Sequence, residues 1–204
     1  MHDKLVLIGG GGHCKSVLDT IYTTRMYSEI VITDSRIPKG STVLGCKVAG
    51  TDKELPNLYS MGFHHAFITI GSIKNTAIRR KVYGRAKEIG FVFPTIIDPT
   101  AVIALSSQIG KGIFIGKRAV VNADAEIGDF AIINTAATIE HDCCIGGFSH
   151  IAIGATVCGG VEIGCDVFVG ANATIIQELK IGMNSTIGAG SLVLNNVPEY
   201  SIIV

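Results

Sequence analysis

The chain has 204 residues, 17 Lys and Arg against 17 Asp and Glu, 48% hydrophobic residues and no Trp. Balanced charge gives no basic excess to neutralise phosphates, so nucleic acid is not an expected partner. High apolar content with zero formal charge excludes a disordered chain. Mean hydropathy is +0.45, yet no apolar run approaches the roughly 20 residues of a spanning helix. No membrane partner is expected, and the hydropathy must come from an internal pattern.

Residues 4–8 (Lys-Leu-Val-Leu-Ile) read as a short buried strand. The run Gly9, Gly10, Gly11, Gly12 with His13 reads as a tight turn, and residues 14–22 as a helix. Residues 30–34 form a second strand ending in Asp34, and residues 66–70 a third, ending at Ile70 before Gly71. Residues 75–90 form a helix that puts Arg79, Arg80, Lys81, Arg85 and Lys87 on solvated faces. Residues 91–99, punctuated by Pro94 and Pro99, link to the second half. Strands alternating with helices predict a small parallel α/β sheet. The expected domains are 1–93 and 94–204.

The glycine run opens a helix, where backbone N–H groups and the helix dipole attract phosphate. Gly9 and Gly11 match the start of G-x-G-x-x-G, but Cys14 stands in the third glycine's place. About 90 residues also build only one mononucleotide half. Nucleotide phosphate binding is the preferred reading, ahead of a structural turn and of a redox dinucleotide. Asp34 lies roughly 20 residues on, where a ribose-binding acid belongs.

Stepping by six from Ile103 to Val193 meets sixteen consecutive Ile or Val residues, and the next step, Glu199, breaks the series. The following residue is Gly in eight cases: Gly110, Gly116, Gly128, Gly146, Gly164, Gly170, Gly182 and Gly188. Two positions before the ladder residue the side chain is mostly small, as at Ala119, Ala137 and Ser149. A helix needs a period of 3.6 and a meander needs hairpin signals. A strict period of six fits short strands between tight turns. The β-branched residue fills the interior, and Gly is expected to supply unusual backbone angles. This is the hexapeptide pattern of a parallel β-helix.

The pattern resembles the left-handed parallel β-helix of the hexapeptide acyltransferases, in which three hexapeptides make one triangular coil. With the α/β, Rossmann-like domain ahead of it, the chain resembles the NeuD/PglD-type bacterial sugar acetyltransferases. These serve O-acetylation of sialic acid or N-acetylation of UDP-4-amino sugars in bacillosamine synthesis. The residues that carry the likeness are Ile8 to Lys15, Asn134-Thr135, Ile139-Glu140-His141-Asp142-Cys143, Gly159 to Gly164 and Phe168-Val169-Gly170.

The resemblance implies acetyl-CoA as co-substrate, no metal, and a cytoplasmic homotrimer. It implies His141 as general base, with Glu140 and Asp142 beside it; Asp142 stands where the family has Glu. It implies sugar-nucleotide contacts at Gly9, Gly10, Gly11, Gly12, His13, Asp34, Ile70 and Gly71. Asn134 and His150 join the substrate set, and Gly159, Gly160, Gln177 and Ala189 the acetyl-CoA set.

In such a coil, residues 18 apart stack at about 4.8 Å, the strand spacing. Gly159 then lies over His141 and Gln177 over Gly159, leaving bare backbone N–H groups where a thioester oxyanion would form. A column of Phe114, Ile132, His150 and Phe168 faces outward. An outward apolar stripe marks an interface. It is read as the trimer contact, with cover by the N-terminal domain as the alternative. His150 within it is first a hydrogen-bonded interface residue and second a catalytic candidate.

The cysteines are Cys14, Cys46, Cys143, Cys144, Cys158 and Cys165, with no Cys-x-x-Cys pair. The N-terminus shows no signal-peptide pattern, so they read as reduced thiols that fill small apolar sites. Cys143 is expected to point inward and Cys144 outward, the latter keeping a thiol intermediate as a minor alternative. Metal-dependent hydration of CO2 would need three protein ligands, and the repeats offer only His141 and His150. The leading reading is acetyl transfer to a sugar amine, then to a sugar hydroxyl, ahead of a non-catalytic scaffold.

Overall fold

The structure, a computed structural model, describes residues 3–71 and 75–204. The chain divides into two compact units, one formed by residues up to Gly71 with Ala77–Pro94, the other mainly by Thr95–Val204.

In the first unit β1 (Asp3–Ile8), β2 (Tyr27–Thr33), β4 (Cys46–Gly50) and β5 (His65–Ile68) run parallel. The short β3 (Thr42–Val43) pairs antiparallel with β4, giving the order β3-β4-β2-β1-β5. Leu5, Val6, Leu7 and Ile8 of central β1 are at most 1% exposed, because helices cover both faces of a parallel sheet. Helix α1 (Gly12–Thr24) buries Cys14, Val17, Leu18 and Ile21 at helical spacing. It stops at Arg25, which is left-handed and donates its N–H to the Ile21 carbonyl. Helix α2 (Leu55–Ser60) and the short strands β3 and β4 add to the elements expected.

Helix α3 (Ala77–Ile89) corrects one expectation: Arg79 is only 2% exposed. It falls on the helix's inner stripe with Val82 and Ala86, so helical spacing overrode its polarity. Residues 72–74, within the stretch before this helix, lie outside the described residues.

The second unit is a left-handed parallel β-helix of two-residue strands, from β6 (Ile96–Ile97) to β23 (Ile202–Ile203). Residues 18 apart pair in register, as Ile103 with Val121, Val121 with Ile139 and Ile139 with Val157. Three faces result. The first carries Thr138–Ile139, the second Cys144–Ile145 and the third His150–Ile151, each with its stacked strands. From Ile115 to Val193 every ladder residue is at most 4% exposed. Ala119, Ala125, Ala131, Ala137, Cys143 and Ala155 share that core, as do the larger Ile113, Val161 and Val167 at the same place in their repeats.

The ladder is longer than its period suggests. Ile97 pairs with Ile115, so part of the expected linker is already the first coil. Ile203 pairs with Ile187 across 16 residues rather than 18. The last coil is thus two residues shorter, and Glu199 marks a register shift rather than the end.

The eight glycines after ladder residues do not have the positive φ expected of them. Positive φ falls instead on every sixth residue from Gly112 to Gly190, including Phe130, Asp142 and Phe148. The eight glycines serve close approach: a Cβ on Gly146 would sit 2.4 Å from the Gly164 carbonyl carbon, and one on Gly182 2.3 Å from the Glu199 nitrogen. They also segregate. Gly110, Gly128, Gly146, Gly164 and Gly182 form one column, at the corner joining the second face to the third. The corner joining the first face to the second has Ala104, Asn122, Glu140, Cys158, Ile176 and Leu194 at that place.

The outward column on the third face is also corrected. Phe114 and Ile132 are 1% exposed and His150 8%, while Phe168 is half-buried. Outward direction in the coil therefore did not predict exposure at three of the four positions.

Candidate active site

His141 stands at the corner between the first and second faces, two residues after inward Ile139. The ring is exposed, and its Nδ1 lies 2.7 Å from Asp142 Oδ2. Asp142 reaches it because it occupies the left-handed corner position, φ 58°, which short polar side chains tolerate better than bulky ones. A neutral imidazole donating from Nδ1 keeps the Nε2 lone pair for a proton. The hydrogen bond to Asp142, with the negative charges of Asp142 and Glu140, pushes the imidazole pKa up from its ordinary value.

Gly159 lies directly over the ring, as register predicts. A Cβ there would be 2.6 Å from His141 Cε1 and 2.7 Å from Nε2, so only hydrogen leaves the ring its place. The Gly160 N–H, however, donates to the His141 carbonyl oxygen at 2.9 Å. It is committed to joining the coils, which takes Gly160 out of the expected bare N–H groups at this corner.

Glu140 does not touch the imidazole through any hydrogen bond among the described residues. Its Oε2 accepts from Asn122 Nδ2 at 3.0 Å and from the His141 backbone N–H at 3.4 Å. It orders the backbone before the ring, whereas Asp142 orients the ring. Asn122 drew no attention in the sequence, although its place 18 residues before Glu140 was the available signal.

Other predicted residues lie elsewhere. Asn134 and Ala189 sit at the corner joining the third face to the first, and His150 on the third face. Asn134 Nδ2 approaches His150 Nε2 at 3.2 Å, and its Oδ1 accepts the Thr135 N–H at 2.8 Å. His150 also meets the Phe168 ring edge-on at 5.3 Å. Within one chain, then, His141, Gly159, Gly160 and Gln177 share one corner, and Asn134 and Ala189 another.

In the first unit the predicted substrate residues gather at the carboxyl ends of β1, β2 and β5, where open parallel sheets bind ligands. Gly10 N–H donates to Asp34 Oδ2 at 2.7 Å, and Arg36 and Ile37 N–H donate to Oδ1 at 2.7 and 3.0 Å. Burial alone would raise this carboxyl's pKa, but those three N–H groups bring it below its ordinary value. Asp34 therefore holds the glycine loop as an anion. Gly9 has φ 111°, and a Cβ there would meet Ile70 Cγ1 at 2.7 Å. Gly11 and Gly12 face open space at the start of α1, which has no side-chain cap, and Gly71 approaches His13. Beside Asp34 lies a groove of about 320 Å³ lined by Ser35, Arg36, Lys39 and Thr51.

The thiols divide as predicted at the key pair: Cys143 is buried and Cys144 exposed. Partial burial, with the Glu126 and Glu162 carboxylates nearby, pushes the Cys144 thiol pKa up and disfavours its nucleophilic form. Burial pushes Cys14 up to about 12. A larger groove, about 570 Å³, runs over Cys144, Glu162, Lys180 and Met183 on the second face and omits His141. Among the described residues, no three His, Cys, Asp or Glu side chains are grouped to hold a metal ion, and no helix is long and apolar enough to cross a membrane.

Residues 4–86 match the PglD N-terminal domain family, and residues 160–195 the bacterial transferase hexapeptide (six repeats). Comparison with curated proteins gives no match. Among solved structures, a histidine mutant of perosamine N-acetyltransferase from Caulobacter crescentus, in complex with CoA and GDP-perosamine, is 32% identical. Its TM-score is 0.92, with 99% of this chain and 93% of that one covered. The acetyltransferase domain of PglB from Neisseria gonorrhoeae, in complex with acetyl coenzyme A, is 35% identical with a TM-score of 0.89, covering 97% and 94%. WeeI from Acinetobacter baumannii, 21% identical over 98% and 96% with a TM-score of 0.79, shares the fold. The glycine-loop sheet, the unbroken hexapeptide coil and these likenesses together establish that the chain belongs to the NeuD/PglD-type sugar acetyltransferases.

Proposed function

We propose that this protein transfers the acetyl group of acetyl-CoA to the amino group of a nucleotide-linked 4-amino sugar, UDP- or GDP-bound, with His141 as general base. The observation that carries this reading is the imidazole held by Asp142 at Nδ1 beneath Gly159, with Nε2 directed away from its carboxylate. The α/β unit holds the nucleotide: the start of α1 at Gly11 and Gly12 suits a diphosphate, and the groove beside Asp34 suits the nucleoside. His13, Ile70 and Gly71 border the same loop.

A sugar ammonium must lose a proton before it can attack. His141 Nε2 takes that proton and releases it to solvent, then takes the second nitrogen proton as the amine adds to the thioester carbonyl. The new C–N bond forms as the carbonyl becomes an oxyanion, for which the Gly159 N–H is the donor on this corner. The C–S bond then breaks, and the imidazolium returns its proton to the departing CoA sulfur. General-base catalysis of this kind is worth about 10²- to 10⁴-fold.

We further propose a homotrimer acting in the cytoplasm. Asn134 and Ala189 lie at a different corner from His141 and Gln177, and packing three prisms side by side would bring unlike corners together, allowing Asn134, His150 and Ala189 of one copy to serve the site of the next. Six free cysteines suit a reducing compartment.

Thiol release from acetyl-CoA, measured with UDP-linked and GDP-linked 4-amino sugars and with sialic acid, tests the reading. An amino sugar should be turned over at least about 100-fold faster than sialic acid, and turnover of the hydroxyl acceptor alone would defeat it. Analytical ultracentrifugation checks the trimer.

A further inference from the structure

We propose that Asn122 is a positioning residue for His141, acting through Glu140. The inference rests on the reading of His141 as the base. At the glycine corner, neighbouring coils approach so closely that a Cβ on Gly128, Gly146, Gly164 or Gly182 would meet backbone. The His141 corner lacks those glycines. Backbone hydrogen bonds still join its coils, as Asp142 N–H to the Ala123 carbonyl and Gly160 N–H to the His141 carbonyl, and Asn122 to Glu140 adds a side-chain link immediately before the imidazole. Asn122 Nδ2 donates to Glu140 Oε2 at 3.0 Å, and the same oxygen accepts the His141 backbone N–H at 3.4 Å.

One carboxylate oxygen therefore links the coil below to the peptide that carries the base. Both side chains are half-buried, where a hydrogen bond to a charged acceptor is stronger than a neutral one. Asp142 orients the ring through its carboxylate, and its N–H ties the corner to the Ala123 carbonyl on the previous coil at 3.0 Å. Asn122 adds a second tie from that coil, reaching the peptide just before the imidazole. The groups around the imidazole are Asp142 on Nδ1, Glu140 one residue back, Gly159 above and Ala123 on the coil below.

The test is a double-mutant cycle on the full-length protein with N122A, E140A and the pair, with N122S as a milder variant should N122A fold poorly. Acetyl transfer is followed with the amino sugar that the wild type accepts. Asn122→Ala should lower kcat about tenfold with KM within about twofold, at little cost in Tm. The double variant should be no worse than E140A alone, because the two residues act as one chain. Additive losses, or an unchanged kcat in a folded N122A protein, would overturn the proposal.

A readout independent of turnover is the NMR titration of the His141 ring, assigned with H141A. It should move to lower pH in N122A as the Glu140 carboxylate leaves its place, and an unmoved titration counts against Asn122. A fully active H141A protein would remove the base reading while leaving this titration to decide the positioning claim. An inactive H141A with an additive cycle would remove only the positioning claim.

Discussion

Two corners of the same prism are built in opposite ways. At the corner between the second and third faces, five stacked glycines let each coil lie against the next, and added methyl groups would meet backbone at 2.4 Å for Gly146 and 2.3 Å for Gly182. At the corner between the first and second faces, that place holds Asn122, Glu140 and Cys158, and a glycine appears one residue later, at Gly159. There the close contact is with the His141 ring rather than with backbone. One corner spends its glycines on holding coils together, the other on seating a side chain. The lesson is that a glycine in this repeat reads as structural or functional according to which column it stands in.

The contrast is most severely tested at the ring itself. His141→Ala should reduce acetyl transfer about 10³-fold without altering Tm, since the ring is exposed and packs on a glycine. Retained activity would move the base elsewhere. Matched glycine substitutions come next. Gly159→Ala should displace the imidazole and cost about 10²-fold in kcat with a small change in Tm. Gly146→Ala should cost about 1–3 kcal/mol of stability, the scale of overpacking, with kcat per folded molecule nearly unchanged. If both variants lose stability equally and neither loses kcat specifically, the two corners do not differ as described.

A smaller effect is expected from Asp142→Asn. The carboxylate raises the imidazole pKa, so the wild-type rate should fall as pH drops through a value above that of ordinary histidine. Asn should move this acid limb to lower pH while reducing kcat about tenfold, because the ring loses its anionic acceptor. The pH profile of kcat/KM checks the sign. Least affected should be Cys144→Ser, on the second face away from this corner, with activity within about twofold. A larger loss would revive the thiol intermediate.

Much of this was legible in the linear chain. The Ile/Val period gave the short strands and the core, and the family resemblance added three hexapeptides to a coil, from which Gly159 falls over His141. The glycine loop, Asp34 and Ile70-Gly71 were legible as one region because parallel strands send their carboxyl ends to one edge. The errors share a cause. Glycine was assigned to strained dihedrals when close approach was its function, and the left-handed places went to Phe130, Phe148 and Asp142. Arg79 and the Phe114 column were judged by polarity or by direction from the coil, whereas burial depends on what the rest of the chain lays over them. Glu140 seemed a partner of the ring, and the previous coil claims it instead.

The residue pattern by itself determined short strands at a six-residue period around a β-branched core, because periodicity and β-branching act locally and repeat; the 18-residue stacking, and with it a histidine on an outside corner, followed from the family resemblance. Only the folded molecule decided which corner each glycine joins, that Asp142 reaches the imidazole at 2.7 Å, and that Asn122 holds Glu140. Those are contacts between residues distant in sequence or dependent on a left-handed turn, and their energies rest on distances that no single stretch of chain specifies.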